Sequence, residues 1–179
     1  MQAASDRLDF ETAALLRDQI AAIDRVAAGQ KVVMDAGTEM DVIALAGTTR
    51  AVCAAVLRYR DGRLTDKREF VFHDTTDIEA VREEFLPQYY LDGETIPKTI
   101  AVDTLPPDAE ALNQALNEAR GSKVELYVPQ RGDVAKLVTM AYTNAVERLG
   151  RESGRYTREE KLLEEAAQVL GLKNPAEGD

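Results

Sequence analysis

Between Met40 and Phe72 lie three short runs, MDVIALAG (40–47), RAVCAAVLRY (50–59) and LTDKREFVF (64–72), with room only for tight turns between them. Their length and their Val, Ile and Phe content read as β-strands. Gly47 and the Asp61-Gly62 pair punctuate them, and Asp-Gly is a strong hairpin signal. Strands joined this tightly run antiparallel, so the segment predicts a meander. An alternation follows. Thr76 and Glu79 form a capping box for a helix with Ile78, Val81 and Phe85 on its apolar face, and Pro87 is expected to end or kink it. KTIAVD (98–103) is the next strand. Pro107 opens a helix through Ala119 with Gly121 as its C-cap. KVELYVP (123–129) is a strand, and Asp133 is expected to cap a helix carrying Val134, Val138, Ala141, Ala145 and Leu149 and closing at Gly150. Three antiparallel strands followed by helical crossovers predict a mixed α/β (α+β) sheet with helices on its faces.

Two flanking segments differ in character. Residues 1–30 read as a helical hairpin: Ala13, Leu16, Ile20, Ile23 and Ala27 recur at helical spacing, Asp9 is a good N-cap and Gly29 a stop. Two short helices with a one-sided apolar stripe are marginal by themselves, so the stripe needs a partner. After Gly154, Thr157 and Glu160 suggest a second capping box, and Leu162, Leu163, Ala166, Val169 and Leu170 an apolar side. The end, GLKNPAEGD, is linker-like. The organisation expected is therefore a hairpin over 1–35, a sheet domain over 36–152, and a helix and linker over 153–179.

Composition narrows the chemistry. The chain of 179 residues has a formal charge of −10 and a pI near 4.7, the wrong sign for binding DNA unaided, because phosphate contacts dominate such affinity. Cys53, the one cysteine, excludes an internal disulfide and sits in an apolar run, as a buried structural thiol does. With one histidine, His73, and no second cysteine, no structural zinc site is expected. Mean hydropathy is −0.31 and no stretch approaches the roughly 20 apolar residues of a membrane span. The acidic N-terminus has no signal-peptide core, and a soluble, cytoplasmic protein without membrane partners is expected.

The strand and helix order over 40–150 is the one used by ribonuclease-H-like folds. Particular residues carry a closer likeness. Ala4-Ser5, Leu8-Asp9-Phe10-Glu11, Ala13-Ala14, Leu16-Arg17-Asp18 and Ile20 resemble the UVR motif. Glu84-Phe85-Leu86 with Gln88-Tyr89-Tyr90, and Pro129-Gln130-Arg131-Gly132-Asp133 with Leu137-Val138, Met140-Ala141 and Asn144-Ala145, resemble the UvrC family in the region after that motif. The likeness covers nearly the whole chain. It implies a central piece of a nucleotide excision repair endonuclease, without the GIY-YIG nuclease and short of the F-D-I-S-H strand of the C-terminal nuclease. It also implies that the hairpin pairs with the corresponding hairpin of UvrB, through Leu8, Phe10, Ala13, Leu16, Arg17, Ile20 and Ile23. Phe10 is the expected anchor, since aromatic residues often dominate small interfaces. Without UvrB the same stripe could self-associate. Some regulators of protein quality control carry the motif too, but they bring zinc-binding cysteines that this chain lacks.

Several acids are candidates for a nuclease site. Such a site needs carboxylates converging on two divalent ions about 3.5–4 Å apart, one of them from the middle of the first strand. Ile43, Ala44 and Leu45 stand there, Asp41 comes at the strand start, and Asp103 ends the fourth strand. Glu83, Glu84 and Glu147 are helical and could face either way. The expectation is an inactive ribonuclease-H-like domain with no catalytic or metal-binding residues and no cofactor, divalent metal belonging only to the flanking nuclease domains. The alternative is a metal-dependent nuclease built on Asp103 and Asp41. In PQRGD, Arg131 and Lys136 lie near a helix N-terminus and are the candidate DNA contacts, beside the plainer reading of a capped loop. Arg58, Arg60, Arg63, Lys67 and Arg68 alternate with Asp61, Asp66 and Glu69, as on a protected sheet edge. Tyr89 and Tyr90 read as core.

Overall fold

The computed structural model describes residues 34–171. The hairpin expected over 1–30 and the final linker lie outside the described residues. β1 (Met40–Gly47), β2 (Ala51–Arg60) and β3 (Arg63–His73) form the antiparallel meander. Then come α1 (Ile78–Leu91), β4 (Thr99–Val102), α2 (Ala109–Arg120), β5 (Glu125–Tyr127) and α3 (Asp133–Val169). The sheet order is β3-β2-β1-β4-β5, with β4 parallel to β1 and β5 parallel to β4. This is the mixed sheet that the strand order predicts.

Both faces of the central strands are covered, which explains why β1 and β2 are apolar almost throughout. Strand alternation sends Val42, Ala44, Ala46, Ala51, Cys53 and Ala55 to the layer shared with Leu137, Ala141, Ala145 and Leu149 of α3. Ile43, Leu45, Val52, Val56, Ile100 and Val102 face Val81, Phe85, Leu86, Tyr89 and Tyr90 of α1, and Leu112 and Leu116 of α2. The α3 side is rich in alanine, with Ala44, Ala46, Ala51, Ala55, Ala101, Ala141 and Ala145 in one layer. The α1 side takes the larger side chains and the cluster of Phe70, Phe72, Phe85, Tyr89 and Tyr90, with ring centroids 4.9–6.0 Å apart.

Several helix boundaries differ from expectation. α1 is capped by Asp77, whose side chain accepts the Ala80 N–H at 3.1 Å, one residue later than the Thr76 box. Pro87 lies inside α1 without ending it, because Tyr89 and Tyr90 beyond it are buried in the core and hold the last turn. α2 begins two residues after Pro107, at Ala109, and Gly121 closes it with φ +79°. α3 begins at Asp133 itself: the Gly132 carbonyl accepts the Lys136 N–H, so Asp133 is the first helical residue and not the cap. Nor does α3 close at Gly150. It is an exposed glycine at which an added methyl would meet nothing within 4 Å. Such a glycine costs a helix only about 1 kcal/mol relative to alanine, too little to stop one. The second capping box is likewise absent, since Thr157 lies mid-helix and donates to the Ser153 carbonyl.

The described residues fall into two compact units divided between Leu149 and Gly150. In the second, Leu162, Leu163, Val169 and Leu170 are 65–86 % exposed. No helix among the described residues is long and apolar enough to cross a membrane.

Candidate functional site

Asp103 follows the last residue of β4, and its environment is fully satisfied. Its backbone N–H donates to the Ile43 carbonyl at 3.1 Å, the last bond of the β1–β4 ladder. Its carboxylate then does what the next carbonyl of β4 would have done: Oδ2 accepts the Leu45 N–H at 3.1 Å. Oδ1 accepts the Thr104 N–H at 2.9 Å and, at 2.6 Å, a guanidinium N–H of Arg82. Arg82 is 3 % exposed. It also reaches the Thr104 carbonyl at 3.4 Å and approaches Glu79 at 3.6 Å.

The sequence reading does not single out Arg82, although a signal for it exists. It stands four residues after Ile78, next to Val81 on the inward face of α1, where an arginine has to find a partner. Its charge-assisted bond joins α1 to the seam between β1 and β4.

Asp41 is fully buried near the start of β1. One oxygen accepts an Arg60 guanidinium N–H at 2.8 Å and the other the Tyr90 hydroxyl at 2.8 Å. Burial raises the Asp41 carboxyl above its ordinary value, outweighing the opposing pull of Tyr90 and Arg60. Burial and the Asp41 charge push the Tyr90 phenol well up, which keeps it a donor.

These two acids do not form one site. Asp41 pairs with Ile100 in the parallel register, and Asp103 lies three residues further along the chain, just past the end of β4. At about 3.3 Å per residue, that is a separation of about 10 Å along the strands. Each carboxylate is held by its own arginine. Ile43, Ala44 and Leu45 between them are buried apolar residues, and Glu83 and Glu84 are exposed. Glu147 is half-buried. Among the described residues no three His, Cys, Asp or Glu side chains converge as a metal site requires. The described residues do not fit the two-ion centre associated with this class of fold.

Arg131 is exposed and makes no ion pair with a described carboxylate, whereas Lys136 lies 3.8 Å from Asp133. Four basic residues of the second hairpin are paired. Arg58 and Arg68 both meet Asp66 and Glu94, Lys67 meets Glu69 and Arg60 meets Asp41. Tyr89 and Tyr90 are buried. Leu8, Phe10, Ala13, Leu16, Arg17, Ile20 and Ile23 lie outside the described residues.

A five-stranded mixed sheet of this order, with helices on both faces and an acid at the end of β4, defines a ribonuclease-H-like domain. Residues 39–152 match the UvrC Ribonuclease H-like domain, and residues 1–26 match the UvrB/uvrC motif. The chain belongs to the UvrC family.

UvrABC system protein C of Salinispora arenicola is 40 % identical over 97 % of this chain, and that of Syntrophotalea carbinolica 37 % identical over 96 %. The chain spans 28 % of the length of each. Ribonuclease H2 of Pyrococcus horikoshii superposes with a TM-score of 0.41 at 11 % identity, over 77 % of this chain and 91 % of that one. The fold assignment rests on strand order and family match, not on that superposition.

Proposed function

We propose that this chain is the central, non-catalytic region of a nucleotide excision repair endonuclease of the UvrC type. Residues 1–30 dock UvrB, and the sheet domain is a scaffold that holds the flanking nuclease domains for incision of damaged DNA. The observation that carries this reading is the succession of a UvrB/uvrC motif and a ribonuclease-H-like domain whose strand-end acid, Asp103, is paired with the buried Arg82. A carboxylate engaged by a guanidinium and two backbone N–H groups has little left to offer a cation. No cofactor is assigned to this region, and divalent metal belongs to the flanking nuclease domains.

The hairpin carries the partner chemistry. Two short amphipathic hairpins would bury their stripes against one another in a small four-helix assembly. Phe10 is the anchor, with Leu8, Ala13, Leu16, Ile20 and Ile23 beside it and Arg17 at the rim. DNA contact by this region is indirect or weak: of the candidate contacts, Lys136 is near Asp133 and Arg131 is the one available cation of the pair.

The test is capture on the immobilised C-terminal region of UvrB. The wild-type chain binds, and Phe10→Ala with Leu16→Asp abolishes capture; undiminished capture by that variant would sink the docking assignment. The nuclease alternative on Asp103 and Asp41 is tested with labelled DNA and Mg²⁺ or Mn²⁺. Cleavage that disappears on Asp103→Asn would overturn the non-catalytic reading.

A further inference from the structure

The turn between β2 and β3 grips the segment through which the N-terminal motif joins the sheet domain. The Asp61 carboxylate accepts the Gly37 N–H at 2.7 Å. The Gly62 N–H donates to the Thr38 carbonyl at 3.0 Å, and the Thr38 N–H in turn donates to the Asp35 carbonyl at 3.1 Å. Met34 packs against the core layer shared with α3. Contact is closest at Gly62, where a methyl group would lie 2.6 Å from the Asp35 carbonyl oxygen and 2.8 Å from that of Met34. Both turn residues have positive φ, +54° at Asp61 and +74° at Gly62. Glycine is therefore required at 62 twice over, by the backbone conformation and by the chain lying across it. A hairpin turn needs only the first. The second, together with the Asp61–Gly37 bond 24 residues apart in sequence, serves the segment 34–38.

We propose that the Asp61-Gly62 turn is a clasp that fixes the exit point of the motif-bearing N-terminal segment from the sheet domain. The inference rests on the docking reading for its purpose, though not for its geometry. The motif match ends at residue 26 and the clasped segment begins at Met34. The seven residues 27–33 between them span at most about 25 Å. With the clasp open, the tether becomes residues 27–38, with a reach of at most about 43 Å. Asp61 and Gly62 are thus positioning residues. They limit where a partner held by residues 1–26 can stand relative to the sheet domain.

The experiment is a pulsed electron spin resonance distance measurement on the full chain, with spin labels on Ala14→Cys and Glu118→Cys. Cys53 is fully buried and stays unlabelled in the folded chain. Gly62→Ala drives a methyl into the Asp35 carbonyl. Asp61→Gly removes the acceptor while keeping a residue that adopts positive φ freely, so a folding defect in Gly62→Ala leaves the test intact. Asp61→Asn retains both an acceptor oxygen and tolerance of positive φ. Gly62→Ala and Asp61→Gly should broaden the distance distribution, by up to about 1.7-fold, the ratio of the two maximal reaches, with Asp61→Asn like wild type. Distributions for Gly62→Ala and Asp61→Gly that superimpose on wild type would overturn the clasp. No UvrB is present in this measurement. A chain that failed to capture UvrB yet broadened on Asp61→Gly would therefore remove the docking reading and leave the clasp standing.

Discussion

Replacing Arg82 by Met keeps most of the side-chain volume and removes the charge that holds Asp103. Arg82 is 3 % and Asp103 18 % exposed, so the pair is largely desolvated and surface-bridge magnitudes do not apply. Breaking a buried pair by removing one partner costs about 3–5 kcal/mol, because the other charge is left uncompensated. Here the loss falls at the lower end, about 3 kcal/mol: Asp103 keeps the N–H groups of Leu45 and Thr104, and its edge reaches solvent. For a domain of this size that lowers Tm by about 10 °C. Urea melts followed by far-UV circular dichroism give the free energy directly. Adding Asp103→Asn removes the orphaned charge but keeps an acceptor for Leu45, so the double variant should regain at least about 1.5 kcal/mol relative to additivity. An Arg82→Met loss under about 1 kcal/mol, or strict additivity in the double variant, would refute the claim that this pair locks α1 to the β1–β4 seam.

Three further outcomes are expected. Tyr90→Phe removes a donor from the buried Asp41 carboxylate and should destabilise by about 1–3 kcal/mol in the same melts, with the fold retained. Asp41→Asn tests the raised carboxyl: a group whose folded pKa lies above its unfolded value contributes fully below the unfolded value, and that contribution is lost as pH rises through the folded one. The stability of Asp41→Asn relative to wild type should therefore rise as the pH climbs above the ordinary carboxylate range, and a flat or falling difference would contradict the burial argument. Leu163→Glu, on the exposed stripe of the second unit, should change stability by less than about 0.5 kcal/mol, since its side chain gives up no described packing.

Much of the sheet was legible because strand signals are local. MDVIALAG has the bounds observed for β1, Asp61-Gly62 is the hairpin turn, and the remaining strands differ by a residue or two at their ends. Helix ends were less legible because they depend on what lies beyond. Pro87 and Gly150 are breakers by local chemistry. The burial of Tyr89 and Tyr90 carries α1 past the first, and the penalty of the second is too small to end α3. The site was half legible. Asp103 stood out as a strand-end acid and Asp41 as an early one. Their partners, Arg60, Arg82 and Tyr90, come from 19 to 49 residues away, and no local pattern announces such pairings.

The sequence by itself determined the order of elements, the hairpin turns and the lack of acids in the middle of β1, because turn chemistry, apolar runs and residue identity act over a few neighbours. Tertiary structure decided that the two tempting carboxylates stand about 10 Å apart, each engaged by its own buried or half-buried arginine. It also decided that the Asp61-Gly62 turn holds a second piece of chain. Charge pairing and close backbone approach are properties of distances in space, and those distances exist only once the parallel register of β1 and β4 and the seat of α1 are fixed.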